Sequence, residues 1–187
     1  MDYIYDGMAI HRYDYDLLNE IDPQNHTDDV IRWILGEVTN AAAYARNLPG
    51  LDDRITKYRK WKAAAYEYYT PKTQKERLSW GLVCAAYGYA IEEYMNRSIQ
   101  DGGYPFAREF DVLVQEPCGR TIPDVRIFIH YIDPNTNEMR TEEVAWLDLT
   151  SEKSVCHIYR KRGSGWRSQP IVIEMVYPPL SAADITF

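Results

Sequence analysis

Asp124 and Asp148 each stand at one end of a short apolar run. Asp124 opens Val125-Arg126-Ile127-Phe128-Ile129, and Asp148 closes Val144-Ala145-Trp146-Leu147. Both runs have the β-branched and aromatic content of strands. The segment Asp133-Pro-Asn-Thr-Asn between them reads as a hairpin loop. If the two strands pair around it, both aspartates fall at the end of the ladder away from the loop, where they can meet. Two carboxylates about 4 Å apart repel by roughly 4 kcal/mol at an effective dielectric near 20. A proton or a cation between them removes that cost. Oxygen ligands on neighbouring strands suit Mg²⁺, whose shell substrate phosphate can complete. The chemistry so implied is metal-assisted cleavage of a phosphodiester.

A third acid is available on a helix. Gly81, Ala85, Gly88 and Glu92 fall on one helical stripe, and the small residues permit close approach to a sheet. Glu92 is therefore placed on the sheet side and joins the candidate metal ligands. Glu93 is expected to face Arg97 as a solvated i,i+4 pair. The segment His157-Ile-Tyr-Arg160-Lys161-Arg162-Gly163-Ser-Gly-Trp166-Arg167 is the most basic stretch of an acidic chain. Interleaved cations and aromatics suit phosphates and stacked bases, so Arg160, Arg162, Arg167, His157 and Arg126 are candidate nucleic-acid contacts. A solvated helix face explains the same composition equally well. His157 could move a proton or hold phosphate, although a lone histidine is more often structural. His11, His26 and His130 lack metal-ligand spacing, Cys118 and Cys156 lack a nucleophile's partners, and there is no phosphate-binding glycine loop.

The elements that must carry these residues change in kind near Gly102-Gly103, helical before and strand-rich after. Residues 1–26 read as an irregular polar arm with one short helix near Asp16–Ile21. A helix starts at His26-Thr27-Asp28-Asp29, with Thr27 as cap, and stops at Pro49-Gly50. A second begins at Leu51-Asp52-Asp53 and carries Arg54, Lys57, Arg59, Lys60 and Lys62, a run that usually marks a solvated face. Pro71 opens a third helix that runs from Lys72 to about Ile99. Strands follow at Arg108–Gln115, Val125–Ile132 and Glu143–Leu149, with a turn at Pro117-Cys118-Gly119. Ser151-Glu152-Lys153 opens a helix that ends at Arg162-Gly163-Ser164-Gly165, and Ile171–Tyr177 is a last strand. That strand follows a helical crossover, so it should lie parallel to the one before it. The expected fold is α/β with a mixed sheet of about four strands. Residues 1–70 form an N-terminal arm and helical subdomain, and residues 71–187 form the α/β core.

Composition narrows the partners. With 187 residues and 45% hydrophobic content, the chain can bury a sizeable core. A net charge of −7 argues against holding nucleic acid through bulk charge, but leaves room for a local basic patch and for a partner with a basic surface. Three cysteines with no CxxC pair point to free thiols in a reducing compartment. No apolar run reaches membrane-spanning length, and the start Met1-Asp-Tyr-Ile-Tyr-Asp lacks the features of a signal peptide. The expectation is action in a cytoplasm, with any export by a route that reads no cleavable signal.

The order helix with Glu92, strand, Gly119-Arg120-Thr-Ile-Pro-Asp124, hairpin, Asp148-Leu-Thr150, helix, strand resembles the PD-(D/E)xK restriction-endonuclease-like superfamily over roughly Leu78–Tyr177. Arg108-Glu-Phe-Asp-Val ahead of Pro123-Asp124 looks like the approach to the first catalytic aspartate in bacterial polymorphic-toxin nuclease domains of this group. The resemblance implies an α-β-β-β-α-β core and a Mg²⁺- or Mn²⁺-dependent endonuclease, acting on DNA as a toxin or effector in bacterial competition, with a cognate immunity protein as a further partner. It implies Asp124, Asp148 and Glu92 as metal ligands. The family's lysine would stand at position 150, where this chain has Thr150. Lys153 or Lys161 on the following helix could replace it, or Thr150 could orient a water. The alternatives are a non-catalytic immunity or adaptor protein on a degenerate nuclease fold, and a component of a phage or secretion particle.

Overall fold

The computed structural model describes residues 2–5, 8–14, 26–48, 53–71, 73–74, 77–101, 110–119, 121–151, 171–177 and 179–187. The elements are β1 (Asp2–Tyr5), β2 (Met8–Asp14), α1 (His26–Arg46), α2 (Thr56–Tyr69), α3 (Trp80–Gln100), β3 (Phe110–Val114), β4 (Val125–Ile132), β5 (Met139–Ser151) and β6 (Ile171–Tyr177). The strands make one six-stranded mixed sheet in the order β1-β2-β6-β5-β4-β3. β3-β4 and β4-β5 pair antiparallel, and β5-β6 pair parallel, as the hairpin and crossover require.

The N-terminal arm is a correction. Residues expected to be irregular form the antiparallel β1-β2 pair, and β2 runs parallel to β6. Polar, aromatic segments of this kind carry no strong period, and their strand identity comes from a partner at the far end of the chain. The segment Asp16–Ile21 and the crossover after Ser151 lie outside the described residues, and Ser151 itself is the last residue of β5. The expected boundary at residue 70 does not divide the core. Val30, Ile34 and Ala41 of α1, Trp61 of α2, Tyr87 and Met95 of α3, and Ala145, Leu147 and Ile173 of the sheet belong to one buried cluster.

The helices start where their caps allow. α3 begins at Trp80 rather than near Pro71, because Ser79 takes an extended backbone and its hydroxyl accepts from the Leu82 N–H at 3.4 Å. α2 has neither a side-chain cap at Ile55 nor an acid in its first turn. Glu93 of α3 supplies the missing acceptor, taking the N–H of Thr56 at 3.2 Å and that of Lys57. Its carboxylate satisfies two orphan donors at the positive end of the helix dipole. Glu93 is thus tied to α2, where the sequence suggested a pair with Arg97. Trp61 donates from its indole to the Ala45 carbonyl at 2.9 Å, and Tyr87 from its hydroxyl to the Ala42 carbonyl at 3.1 Å. Both aromatics, which meet edge-on at 5.4 Å, therefore bury their rings with no polar atom left over.

Strand alternation divides the sheet into two faces. Val112, Val125, Ile127, Ala145, Leu147, Ile173 and Met175 pack in the helical core. Trp146, Asp148, Thr150, Val172, Glu174 and Val176 alternate with them and are also buried.

Candidate functional site

The acids converge where β4 begins. β4 starts at Val125, one residue past Asp124, so β5 has outrun its antiparallel partner there. The side chain of Asp124 takes over. Its Oδ2 accepts from the Leu149 N–H at 2.6 Å, its Oδ1 from the Gln115 amide at 2.8 Å, and its backbone carbonyl from the Gln115 N–H at 3.1 Å. The Asp124 carboxylate therefore lies against the Asp148–Leu149 peptide, at the rim where the hairpin argument placed both aspartates.

Asp148 has a neighbour that sequence reasoning missed. In the parallel β5-β6 register it stands opposite Glu174, and Glu174 stands opposite Arg12 of β2. Register partners in adjacent strands project from the same face about 4.8 Å apart. Asp148 and Glu174 are both 0% exposed. Asp148 and Glu174 thus stand side by side on adjacent strands, and Asp124 lies just before the start of β4. The signal was present: Glu174 interrupts Ile171-Val-Ile-Glu-Met-Val-Tyr, an otherwise apolar strand, where a charge needs a partner.

Glu92 reaches the rim from the other side. It lines an open cleft of about 340 Å³ with Gly88, Tyr89, Asp124, Leu149 and Tyr177. Leu149 faces this cleft, so Asp148, its neighbour in the strand, projects from the opposite face. The expected trio therefore separates. Asp124 and Glu92 share the cleft, while Asp148 shares its face with Glu174, because α3 packs on the helical side of the sheet. Among the described residues no group of three or more His, Cys, Asp or Glu is placed to hold one ion. Gly88 explains the small-residue stripe: a Cβ there would stand 2.5 Å from the Tyr177 hydroxyl, whereas one at Gly81 would meet nothing. Burial pushes the Tyr177 phenol up to about 12, with a hydrogen bond to Ser151 acting the other way and the charge of Glu92 adding to the rise.

Arg126, expected to contact nucleic acid, is engaged elsewhere. A register slip between Ile127 and Phe128 makes Phe128 pair with Glu143 and leaves Val144 as the extra residue. The bulge turns Glu143 to the Trp146 face. There its Oε1 accepts from Arg126 Nε at 2.5 Å and from the Trp146 indole at 2.7 Å. The guanidinium also lies 5.0 Å from the Phe128 ring centre. The hydrogen bond to Glu143 holds the Arg126 pKa above its ordinary value. Thr150 is buried on the Asp148 face, and its hydroxyl lies 3.5 Å from the Ser151 carbonyl. Lys153, His157, Arg160, Lys161, Arg162 and Arg167 lie outside the described residues.

The fold and site define an α/β protein with a mixed sheet and a carboxylate row at the rim where β4 starts. No family model, curated protein or solved structure matches the chain. Among the described residues no helix is long and apolar enough to cross a membrane.

Proposed function

We propose that the chain is a metal-dependent nuclease that hydrolyses DNA phosphodiesters, as a toxin or effector domain. The observation that carries this reading is the carboxylate row: Asp148 and Glu174 in register on β5 and β6, with Asp124 against the next peptide. The strand sequence β3-β4-β5-β6, preceded by α3 and paired antiparallel, antiparallel and parallel, supports a restriction-endonuclease-like core.

Mg²⁺ is held in such enzymes by one or two carboxylates, with water and substrate phosphate completing its shell, and a pair in adjacent register fits that demand. Mn²⁺ suits the same oxygens. A bound ion supplies a polarised phosphate and a more acidic water. Asp148 and Glu174 would hold the ion, and Asp124 fixes the end of β5 through the Leu149 amide. Glu92 sets a negative wall on the cleft side. Lys153 or Lys161 takes the charge-stabilising part of the family lysine, and Arg160, Arg162, Arg167 and His157 hold the strand.

One observation favours a second reading. Asp148 and Glu174 are closed to solvent, and Thr150 is buried in the lysine's place. A core of that kind serves binding alone, as in an immunity or adaptor protein or a particle component. Plasmid nicking with Mg²⁺ or Mn²⁺ separates the two. The parent should cleave, and Asp148→Asn and Glu174→Gln should lose cleavage while keeping the parent's circular dichroism. Equal nicking by all three proteins would discard the nuclease mechanism. Calorimetric titration showing no metal uptake that depends on Asp148 would favour the binding reading.

A further inference from the structure

The described residues hold a second cationic surface, on α2. Lys57, Arg59 and Lys60 are exposed on α2, with Arg59 and Lys60 turned away from the buried Tyr58, Trp61 and Ala65 and Lys57 at the flank of that buried stripe. None of the three forms an ion pair with a carboxylate among the described residues, whereas Lys62 is held by Asp53 at 3.2 Å. The helix presents no acid between Thr56 and Tyr66. In a chain of net charge −7, this is a local reversal of sign.

Its position links it to the site. The Lys57 ammonium lies 5.0 Å from the centre of the Tyr89 ring, and Tyr89 lines the cleft that Asp124 closes. Glu93 pins the first turn of α2 beside Glu92. Because Glu93 already occupies the helix terminus, an anion here would be met by side chains rather than by backbone N–H groups. The half-exposed Tyr89 ring offers a stacking surface at the same rim. Spaced cations that run up to an exposed aromatic match the repeating phosphates and bases of a nucleic-acid strand.

We infer that the exposed cations Lys57, Lys60 and Arg59, which wind round the first turns of α2, are a DNA-backbone track that leads a strand over Tyr89 to the Asp124 rim. The inference rests on the nuclease reading for the direction of the strand, but binding can be measured without cleavage. The probe is a fluorescein-labelled 20-nucleotide DNA, single-stranded and as a duplex, with anisotropy read across a salt series. The protein is the full chain carrying Asp148→Asn, with and without Lys57→Gln/Arg59→Gln/Lys60→Gln. The triple variant should bind roughly tenfold or more weakly at low salt, and the slope of log K against log salt should flatten by about two to three. Tyr89→Ala should weaken the single strand more than the duplex. Unchanged affinity and slope in the triple variant, with unfolding curves that overlay the parent's, would overturn the track. So would absence of DNA binding by the parent background. Plasmid nicking by the parent reports on the nuclease reading alone, so loss of nicking with the salt-dependent difference retained would overturn that reading and leave the track standing.

Discussion

The two faces of the sheet draw on the same strands for opposite purposes. On the helical face, Ala145, Leu147, Ile173 and Met175 meet α1 and α3 in one apolar cluster. On the other, the residues between them are Trp146, Asp148, Val172 and Glu174, and two of those four are acids at full burial. Burying a carboxylate costs several kcal/mol unless it is neutralised or paired, so the second face is the one whose composition lowers stability. Where sequence chooses an acid at a register position that a valine would fill more cheaply, a functional reading has its best physical footing.

The sharpest break in that comparison is catalytic. On the proposed nuclease reading, Asp148→Ala and Glu174→Ala should lower the rate of plasmid nicking by about a hundredfold or more, because the ion they would hold supplies charge stabilisation in the transition state. Glu92→Ala, on the opposite face, should change the rate far less. Nicking that falls equally in all three would erase the distinction between the faces.

Asp124 should reveal a structural part as well. Asp124→Ala removes the acceptors of the Leu149 N–H and the Gln115 amide. Leaving such donors unpaired should cost about 2–4 kcal/mol, read as a lowered urea midpoint. A variant as stable as the parent would show that the rim does not depend on this side chain.

The cleft side predicts a pH effect. Tyr177 is raised from 10 to about 12 in the folded protein. Between those values the unfolded chain has released its phenolic proton while the folded one keeps it, so this contribution is full below pH 10 and lost as pH rises toward 12. It amounts to at most about 2–3 kcal/mol. Thermal unfolding at pH 9 and pH 11 should show a smaller alkaline loss in Tyr177→Phe than in the parent.

Smaller effects separate two glycines on one helix. Gly81→Ala meets open space and should stabilise α3 by up to about 1 kcal/mol, while Gly88→Ala must displace the Tyr177 hydroxyl and should cost about 1–2 kcal/mol relative to it. Paired melting curves decide the sign. Glu93→Ala should cost about 1 kcal/mol through the uncapped start of α2, against almost nothing for Arg97→Ala.

What could be read in advance follows from how locally each feature is determined. Val125–Ile132 and Ile171–Tyr177 are strands over the expected spans, because dense β-branched runs there are bounded by Asp and Pro. Hairpin geometry placed Asp124 at the end of the β4-β5 ladder, but it did not foresee that its carboxylate would engage the Leu149 amide instead of meeting the Asp148 side chain. The β1-β2 pair was not legible, because its partner β6 is remote in sequence. The start of α3 was misplaced because Pro71 is a permissive helix residue whereas Ser79 makes an actual cap. Glu174 and Glu93 were missed for a shared reason: each acquires its part from another element, Glu174 from the β5 register and Glu93 from the bare end of α2. Arg126 was misjudged because the bulge that brings Glu143 to its face leaves no mark in an alternating pattern.

β6 is the keystone of the sheet. Among the described residues the hairpin β1-β2 and the meander β3-β4-β5 are separate, and β6 alone joins one to the other. Because β6 lies far along the chain from β2, the β1-β2 pair must wait for it before the two strands can join the sheet. The same late insertion brings Glu174 beside Asp148, so the two acids do not adjoin until β6 has taken its place between β2 and β5.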